Sequence, residues 1–508
     1  MNRKSIIAIV GAVAVINLLS RLLGFVREMI IGYHFGTSFK ADSIIAAYTI
    51  PNFLYIAAGG ALTTAFISLY SKAPGPAQKE LKNVIFTYTF VVFGAISLSF
   101  LAAPALWINL FFHDLTPGEA GDTKVLFQFT GVSTVFLVTS MIFSGLLNLH
   151  DRFRASALAP LINNLVYVGL ALALFPIFGV QAYSMGAFVG SILMLVPLLR
   201  EMKKYGLTGF RFQFKMTEGH YLTRYLKVMF PILLGGATLQ FYFLIHRLFS
   251  SQLQEGLMAS LNYASKLVQL PQTILMTAVT TVIYPLIAKT IANNDNRKLS
   301  KMYNDGMKYL LFLMIPISII VYLYATELIS IVFQYGSFQS DATLQTSSLL
   351  KIFVIGMFAH AANVYVTRFY YAKERAIIPV ISGAIAVFGV NILIVLAFIH
   401  RYGGDAIAWA TTISAYFQLG FLLVCAPKRL GIHLTEGGLY IKLLLIGGVS
   451  LLAGLMVKWT LNGRVDNSIL SIILGSLAIG FVYVLLSYLL KIDIIRNFKI
   501  KKGKMGES

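Results

Sequence analysis

Apolar runs with few or no charges, each about as long as a bilayer-crossing helix, follow one another along the whole chain. The stretches 84–112 and Ile469–Leu490 contain no Lys, Arg, Asp or Glu. Water cannot reach the backbone in hydrocarbon, so such a run has to close its hydrogen bonds within a helix. A soluble domain has no use for this much apolar surface. Of 508 residues, 57% are hydrophobic and 12% charged, and the mean hydropathy is +0.77. The expected class is an all-α polytopic membrane protein.

Fourteen crossing segments are expected, near 5–31, 42–70, 84–112, 125–148, 155–178, 181–199, 226–250, 257–288, 305–325, 343–372, 377–399, 405–426, 439–461 and 468–490. The second and eighth are long and carry an internal proline, Pro51 and Pro271. The start imitates a secretory signal, with Arg3 and Lys4 before an apolar run. Because the helix continues through Arg21 and more spans follow, it is read as a retained first span.

The net charge of +21 invites a nucleic-acid reading. The positions of the charges remove it, because most fall in short loops between apolar runs. With the amino terminus inside, the inner loops hold Lys72, Lys79 and Lys82, Arg152 and Arg154, the Arg200–Lys227 group and the Lys289–Lys308 group. Lys373, Arg375, Lys428, Arg429 and the tail from Lys491 follow on the same side. The outer loops hold Lys40, Lys124, Arg401, Lys458 and Arg464. This asymmetry places both termini in the cytoplasm, with the basic loops against anionic lipid.

Cys425 is the single cysteine, and the eight histidines show no metal-ligand spacing. No phosphate-binding glycine loop, nucleophile elbow or H-E-x-x-H occurs. The longest inner loop lacks paired carboxylates, so a membrane glycosyltransferase or polymerase is a poor fit. No cofactor is expected.

A faint repeat links Thr63–Lys72, closing the second span, to Thr280–Lys289, closing the eighth. Six spans per half is an even number, which makes the repeat parallel about an axis normal to the membrane. The expected division is 1–217 (six spans), 218–430 (six spans) and 431–508 (two spans and a basic tail).

A charge near the bilayer centre costs at least ~2.5–3.5 kcal/mol and normally faces a wet cavity or a partner. The first span carries Ser20, Arg21, Arg27 and Glu28, and Asp42 follows the next loop. Arg21 and Glu28, seven apart, fall on nearly one helix face, with Ser20 and Arg27 on the adjoining stripe. Gly24 between them is a candidate bend. The alternative for Arg27 and Glu28 is a helix end whose side chains snorkel to the headgroups. Lys266 lies five residues before Pro271. His246 and Arg247 stand near the outer end of span seven, and Lys351, His360 and Arg368 in span ten. A cavity lined by Arg21, Arg27 and Lys266, partly balanced by Glu28 and Asp42, selects anions. Guanidinium groups pair with phosphate oxygens two at a time, which suits a pyrophosphate. A drug-cation antiporter needs acids there instead.

Ser20-Arg-Leu-Leu-Gly-Phe-Val-Arg-Glu28, Phe35-Gly36, Ala41-Asp42 and Ile50-Pro-Asn-Phe53 resemble the opening signature of the MurJ/MviN lipid II flippases. Phe333-Gln-Tyr-Gly336 with Phe338, and Tyr263-Ala264 with Lys266, Leu267 and Pro271, are similar to further stretches of that family. The resemblance implies two six-helix lobes of the multidrug/oligosaccharidyl-lipid/polysaccharide exporter fold, plus two helices that hold a lipid tail. It implies translocation of lipid II, an undecaprenyl-pyrophosphate-linked peptidoglycan precursor, from the inner to the outer leaflet of the bacterial cytoplasmic membrane. It carries the family's essential positions onto Ser20, Arg21, Arg27, Glu28 (usually Asp), Asp42 and Lys266 (usually Arg). It also implies possible coupling to the membrane potential or a monovalent cation, with Asn391 the one nameable sodium candidate, and a possible cell-wall synthesis complex. The chain departs from the family in the charge-free Phe53–Gly60 and in His246, which stands where an acid or amide is usual. Another lipid-linked oligosaccharide therefore stays open as the cargo.

Overall fold

The computed structural model describes residues 3–112, 115, 117–217, 220–236, 238–279, 283–433, 437–461 and 467–492. The chain forms two compact units. The first is Met1–Ala259 with Gly336–Phe338, and the second is Ser260–Tyr335 with Gln339–Ser508.

The first unit contains α1 (Arg3–Phe35), α2 (Phe39–Phe53), α3 (Gly59–Tyr70), α4 (Gly75–Ala102) and α5 (Pro104–Phe111). It continues with α6 (Pro117–Leu149), α7 (Phe153–Phe178), α8 (Gln181–Leu193), α9 (Leu195–Lys204), α10 (His220–Gly236) and α11 (Thr238–Ser250). The central helix is α6, which packs against α2, α3, α4, α7 and α8. Toward the basic end, Phe66, Leu81, Ile85, Leu146, Leu198 and Tyr225 form one core. The Tyr225 hydroxyl donates to the Leu62 carbonyl at 3.1 Å, holding α10 to this unit.

Helix α12 (Leu257–Ala278) begins in the first unit and runs into the second. The second unit continues with α13 (Tyr284–Ala292), α14 (Asn296–Leu323), α15 (Ala325–Phe333), α16 (Ser340–Ala372), α17 (Ile377–Ala384) and α18 (Ile392–Leu430). The hairpin α19 (Gly437–Leu461) and α20 (Ser468–Leu489) completes it. Here α16 is the central helix, packing against α13, α14, α15 and α18. The two central helices are the fourth and tenth expected spans, six apart as the parallel repeat requires.

Among the described residues ten helices are long and apolar enough to cross a membrane, so the protein is multi-pass. One of the ten, Ile377–Leu430, is two helices joined at Gly403, whose φ of 50° breaks the helix. The expected number of fourteen is larger than this count, and it stays an expectation. Thr280, Thr281 and Val282 of the sequence repeat, residue 218 at the expected lobe boundary, and the tail beyond 492 lie outside the described residues.

Among the described residues π-helical turns interrupt crossing helices at Leu54–Ala58 and Ile385–Asn391. The first follows Pro51, which has no N–H to give to the helix ladder, and the second follows Pro379 at a distance of six residues. Extra-wide turns of this kind re-aim the side chains beyond them.

Candidate functional site

Helix α1 runs unbroken to Phe35, so Arg27 and Glu28 lie two turns inside it rather than at its end. Gly24 does not break the helix. A Cβ there would stand 3.7 Å from the Asn164 amide nitrogen. Asn164 of α7 donates to the Ser20 carbonyl at 2.9 Å and to the Ser20 hydroxyl at 3.2 Å. Ser20 is thus a buried joint between α1 and α7.

Two turns beyond, the Arg27 guanidinium donates from Nη2 to Glu28 Oε1 at 2.7 Å. It lies between two aromatic rings, with centroids at 5.1 Å for Tyr48 of α2 and 5.2 Å for Tyr167 of α7. Glu28 is buried, and the Arg27 side chain keeps 15% of its surface open. Such a vice fixes a long side chain whose rotamer freedom is otherwise large. Arg247 of α11 donates from Nη1 to the Thr49 hydroxyl at 3.2 Å, and Thr49 donates in turn to the Ile45 carbonyl at 2.7 Å. Glu28 and Arg27 are both within electrostatic reach of Arg247. The niche therefore gathers two guanidinium groups around one carboxylate. Arg21 is exposed, about 10 Å along α1 from Glu28.

Asp42 has another arrangement. Its Oδ2 accepts from the Gly256 N–H and its Oδ1 from the Ala259 N–H, both at 2.7 Å. It caps the opening turn of α12, where unsatisfied N–H groups and the helix dipole favour a carboxylate. Glu255 returns the favour by accepting from the Phe39 N–H at 2.8 Å at the start of α2. The segment Gly336–Phe338 joins this corner: Ser337 donates its N–H to the Tyr33 carbonyl at 2.9 Å and its hydroxyl to the His34 carbonyl at 2.9 Å. Gly256, with φ of 79°, sits so close to the Thr37 carbonyl that a side chain would collide with it. His246 is buried beside the ring of Phe243.

The remaining expected residues belong to the second unit. Lys266 is partly buried on α12. Arg368 on α16 lies over the Tyr284 ring at 5.8 Å. Asn391 is fully buried and closes the second π-turn. Its amide nitrogen is 3.4 Å from the Thr411 hydroxyl, and its Oδ1 has no hydrogen-bond partner among the described residues. An orphaned buried oxygen beside a hydroxyl is donor chemistry that suits a hard cation.

Sequence reading missed Tyr48, Thr49, Asn164 and Tyr167. Each lies on a different helix from the residue it serves, and an aromatic, amide or hydroxyl residue in an apolar span carries no signal of its own. The proximity of Pro51 to Tyr48 and Thr49 was the one hint available.

A family model described as Lipid II flippase MurJ matches residues 31–474. The Ser20–Glu28 stretch lies just outside that match. The "Probable lipid II flippase MurJ" of Buchnera aphidicola subsp. Acyrthosiphon pisum is 24% identical, covering 96% of this chain and 98% of that protein. The "Lipid II flippase MurJ" of Burkholderia cenocepacia is 25% identical over 88% of each. Among solved structures, one described as lipid II flippase MurJ in an inward closed conformation superposes with a TM-score of 0.83 at 24% identity, covering 95% of this chain and 99% of that one. An inward-facing multidrug resistance MATE family transporter of the MOP superfamily gives 0.63 at 14% identity, covering 82% and 98%. Both likenesses speak for the fold.

Proposed function

The chain belongs to the lipid II flippase MurJ family, and on that premise we propose that it carries lipid II from the inner to the outer leaflet of the bacterial cytoplasmic membrane by alternating access. The observation that carries this reading is the niche on α1, α2, α7 and α11. Among the described residues Arg27 and Arg247 both face one carboxylate, Glu28, so the niche is rich in positive charge in a low-dielectric setting. A diphosphate brings negative charge, and it brings paired oxygens that match a guanidinium fork. Tyr48 and Tyr167 hold Arg27 in place for it. A cation exporter on the same fold needs the opposite sign here.

In this reading the protein is a transporter without a catalytic step. Ser20, Arg21, Arg27, Glu28 and Lys266 handle the headgroup, and Asp42 holds one state by capping α12. The fourteen-span topology keeps both termini in the cytoplasm. Transport draws on the membrane potential, which is worth about 2.3 kcal/mol per charge per 100 mV, or on a monovalent cation. For a cation, Asn391 and Thr411 supply oxygen ligands within the second unit.

The test is surface exposure of lipid II in cells carrying Arg21→Ala or Lys266→Ala at normal protein level. Exposure is expected to fall at least about tenfold, the loss of one charged hydrogen bond. Unchanged exposure in both variants rejects the assignment. Reconstitution with lipid II and with other undecaprenyl-pyrophosphate glycans then identifies the cargo.

A further inference from the structure

We propose that residues 207–217, the segment between α9 and α10, form a strap that inserts into the lipid headgroup boundary and selects anionic phospholipid. The strap is not helical, and extended backbone near a membrane needs partners for its N–H and C=O groups. Helix α4 supplies them from side chains that its amphipathic pattern leaves unexplained. Asn83 Oδ1 accepts from the Arg211 N–H at 3.3 Å, Thr87 Oγ1 from the Gln213 N–H at 2.9 Å, and Glu80 from the Thr217 N–H at 2.8 Å. In the other direction Tyr88 donates to the Phe214 carbonyl at 3.1 Å and Lys82 to the Leu207 carbonyl at 3.4 Å. Phe210 roots the strap, with its ring 4.4 Å from Phe86 and 5.2 Å from Phe143.

The depth follows from α4 itself. Its last charge is Lys82, and 83–102 is uncharged. At 1.5 Å per residue that stretch spans about 30 Å, the thickness of the hydrocarbon layer. Hydrocarbon therefore starts near Asn83, and the strap reaches Tyr88, about 7 Å further in. This is the depth at which interfacial segments lie.

Composition completes the case. The sequence Phe210-Arg-Phe-Gln-Phe-Lys215 alternates ring with polar or basic residue. Phe212 and Phe214 remain 63% and 53% exposed although their backbone is pinned on both sides. Arg211 and Lys215, also exposed, carry charge beside them. Two aromatic wedges flanked by two cations match an anionic headgroup over an acyl boundary. The inference stands whether or not the cargo is lipid II.

The test uses the full-length chain in nanodiscs, with Trp107, Trp409 and Trp459 replaced by Phe and a single reporter introduced as Phe212→Trp. Phosphatidylcholine and phosphatidylglycerol, brominated near the headgroup or near the chain end, serve as quenchers. Quenching is expected to be stronger from the shallow bromine, and severalfold stronger from phosphatidylglycerol than from phosphatidylcholine at equal mole fraction. Each basic side chain near an anionic surface contributes on the order of fivefold. Arg211→Gln with Lys215→Gln, or salt near 1 M, where the Debye length is roughly 3 Å, should bring the two lipids level. Phe214→Trp gives an independent reporter if Phe212→Trp fails to fold. Absence of quenching means protein or water covers the strap. Equal quenching by both headgroups with the charges intact means no selectivity. Either result overturns the proposal.

Discussion

The niche around α1 and the hairpin α19–α20 are both held inside a membrane protein, yet by opposite means. Around α1, polar groups join the helices: Asn164 to Ser20, Arg27 to Glu28, Arg247 to Thr49. The hairpin has almost nothing of the kind. Helix α20 buries Gly475, Ile479, Tyr483 and Ser487, one residue per turn on a single stripe, with Ile472 and Leu486 packed partly buried beside it. Lipid tails are as apolar as leucine, so burying that stripe gains little hydrophobic free energy, and close fit has to hold it. Gly475 admits the Tyr324 ring, and Gly454 admits Leu323 and Ile479. Among the described residues a polar tether joins Lys458 to Glu327 at 2.6 Å, with Lys458 Nζ also donating to the Leu323 carbonyl. Charge specifies the first region and shape the second.

If that contrast is right, the largest effect belongs to Arg27. Arg27→Ala removes the proposed phosphate donor and takes away the guanidinium that meets buried Glu28. Lipid II exposure should fall by about 3 kcal/mol in effect, on the order of a hundredfold, with protein abundance unchanged. Next comes Gly475→Leu, which forces a side chain into the Tyr324 ring. It should cost about 1–3 kcal/mol in thermal unfolding, and Gly475→Ala less. A neutral Gly475→Leu would show that the hairpin is not held by fit. Tyr167→Ala should then weaken transport by about 1–2 kcal/mol while Tyr167→Phe keeps nearly all of it, because the ring face rather than the hydroxyl clamps Arg27. Equal loss in both would reassign Tyr167 to a hydroxyl role. The smallest effect is the Lys458–Glu327 coupling. The pair is partly exposed, and a double-mutant cycle should return about 0.5–1 kcal/mol.

Much of the fold was legible. The crossing helices and the break between 399 and 405 follow from hydropathy alone, whereas the central place of α6 and α16 shows only in the packing. The partners of the charges were not legible. Arg27 and Glu28 read as a polar face or as a helix end, and only the continuation of α1 to Phe35 decides between them. Asp42 read as a counter-ion for bases, whereas its carboxylate binds two backbone N–H groups more than two hundred residues away.

By itself the sequence determined that this chain is helical and multi-pass, and led to the expectation that its basic loops share one side. Hydrocarbon forbids unpaired backbone, and insertion sorts loops by charge, and both rules act locally. It also determined which helix faces carry ions, because 100° per residue fixes a face without reference to anything else. Tertiary structure alone decided what each ion meets. Tyr167 over Arg27, Arg247 on Thr49 and Asn164 on Ser20 join positions far apart in the chain. Helical periodicity sets the direction in which a side chain points, but its partner depends on which helices pack together.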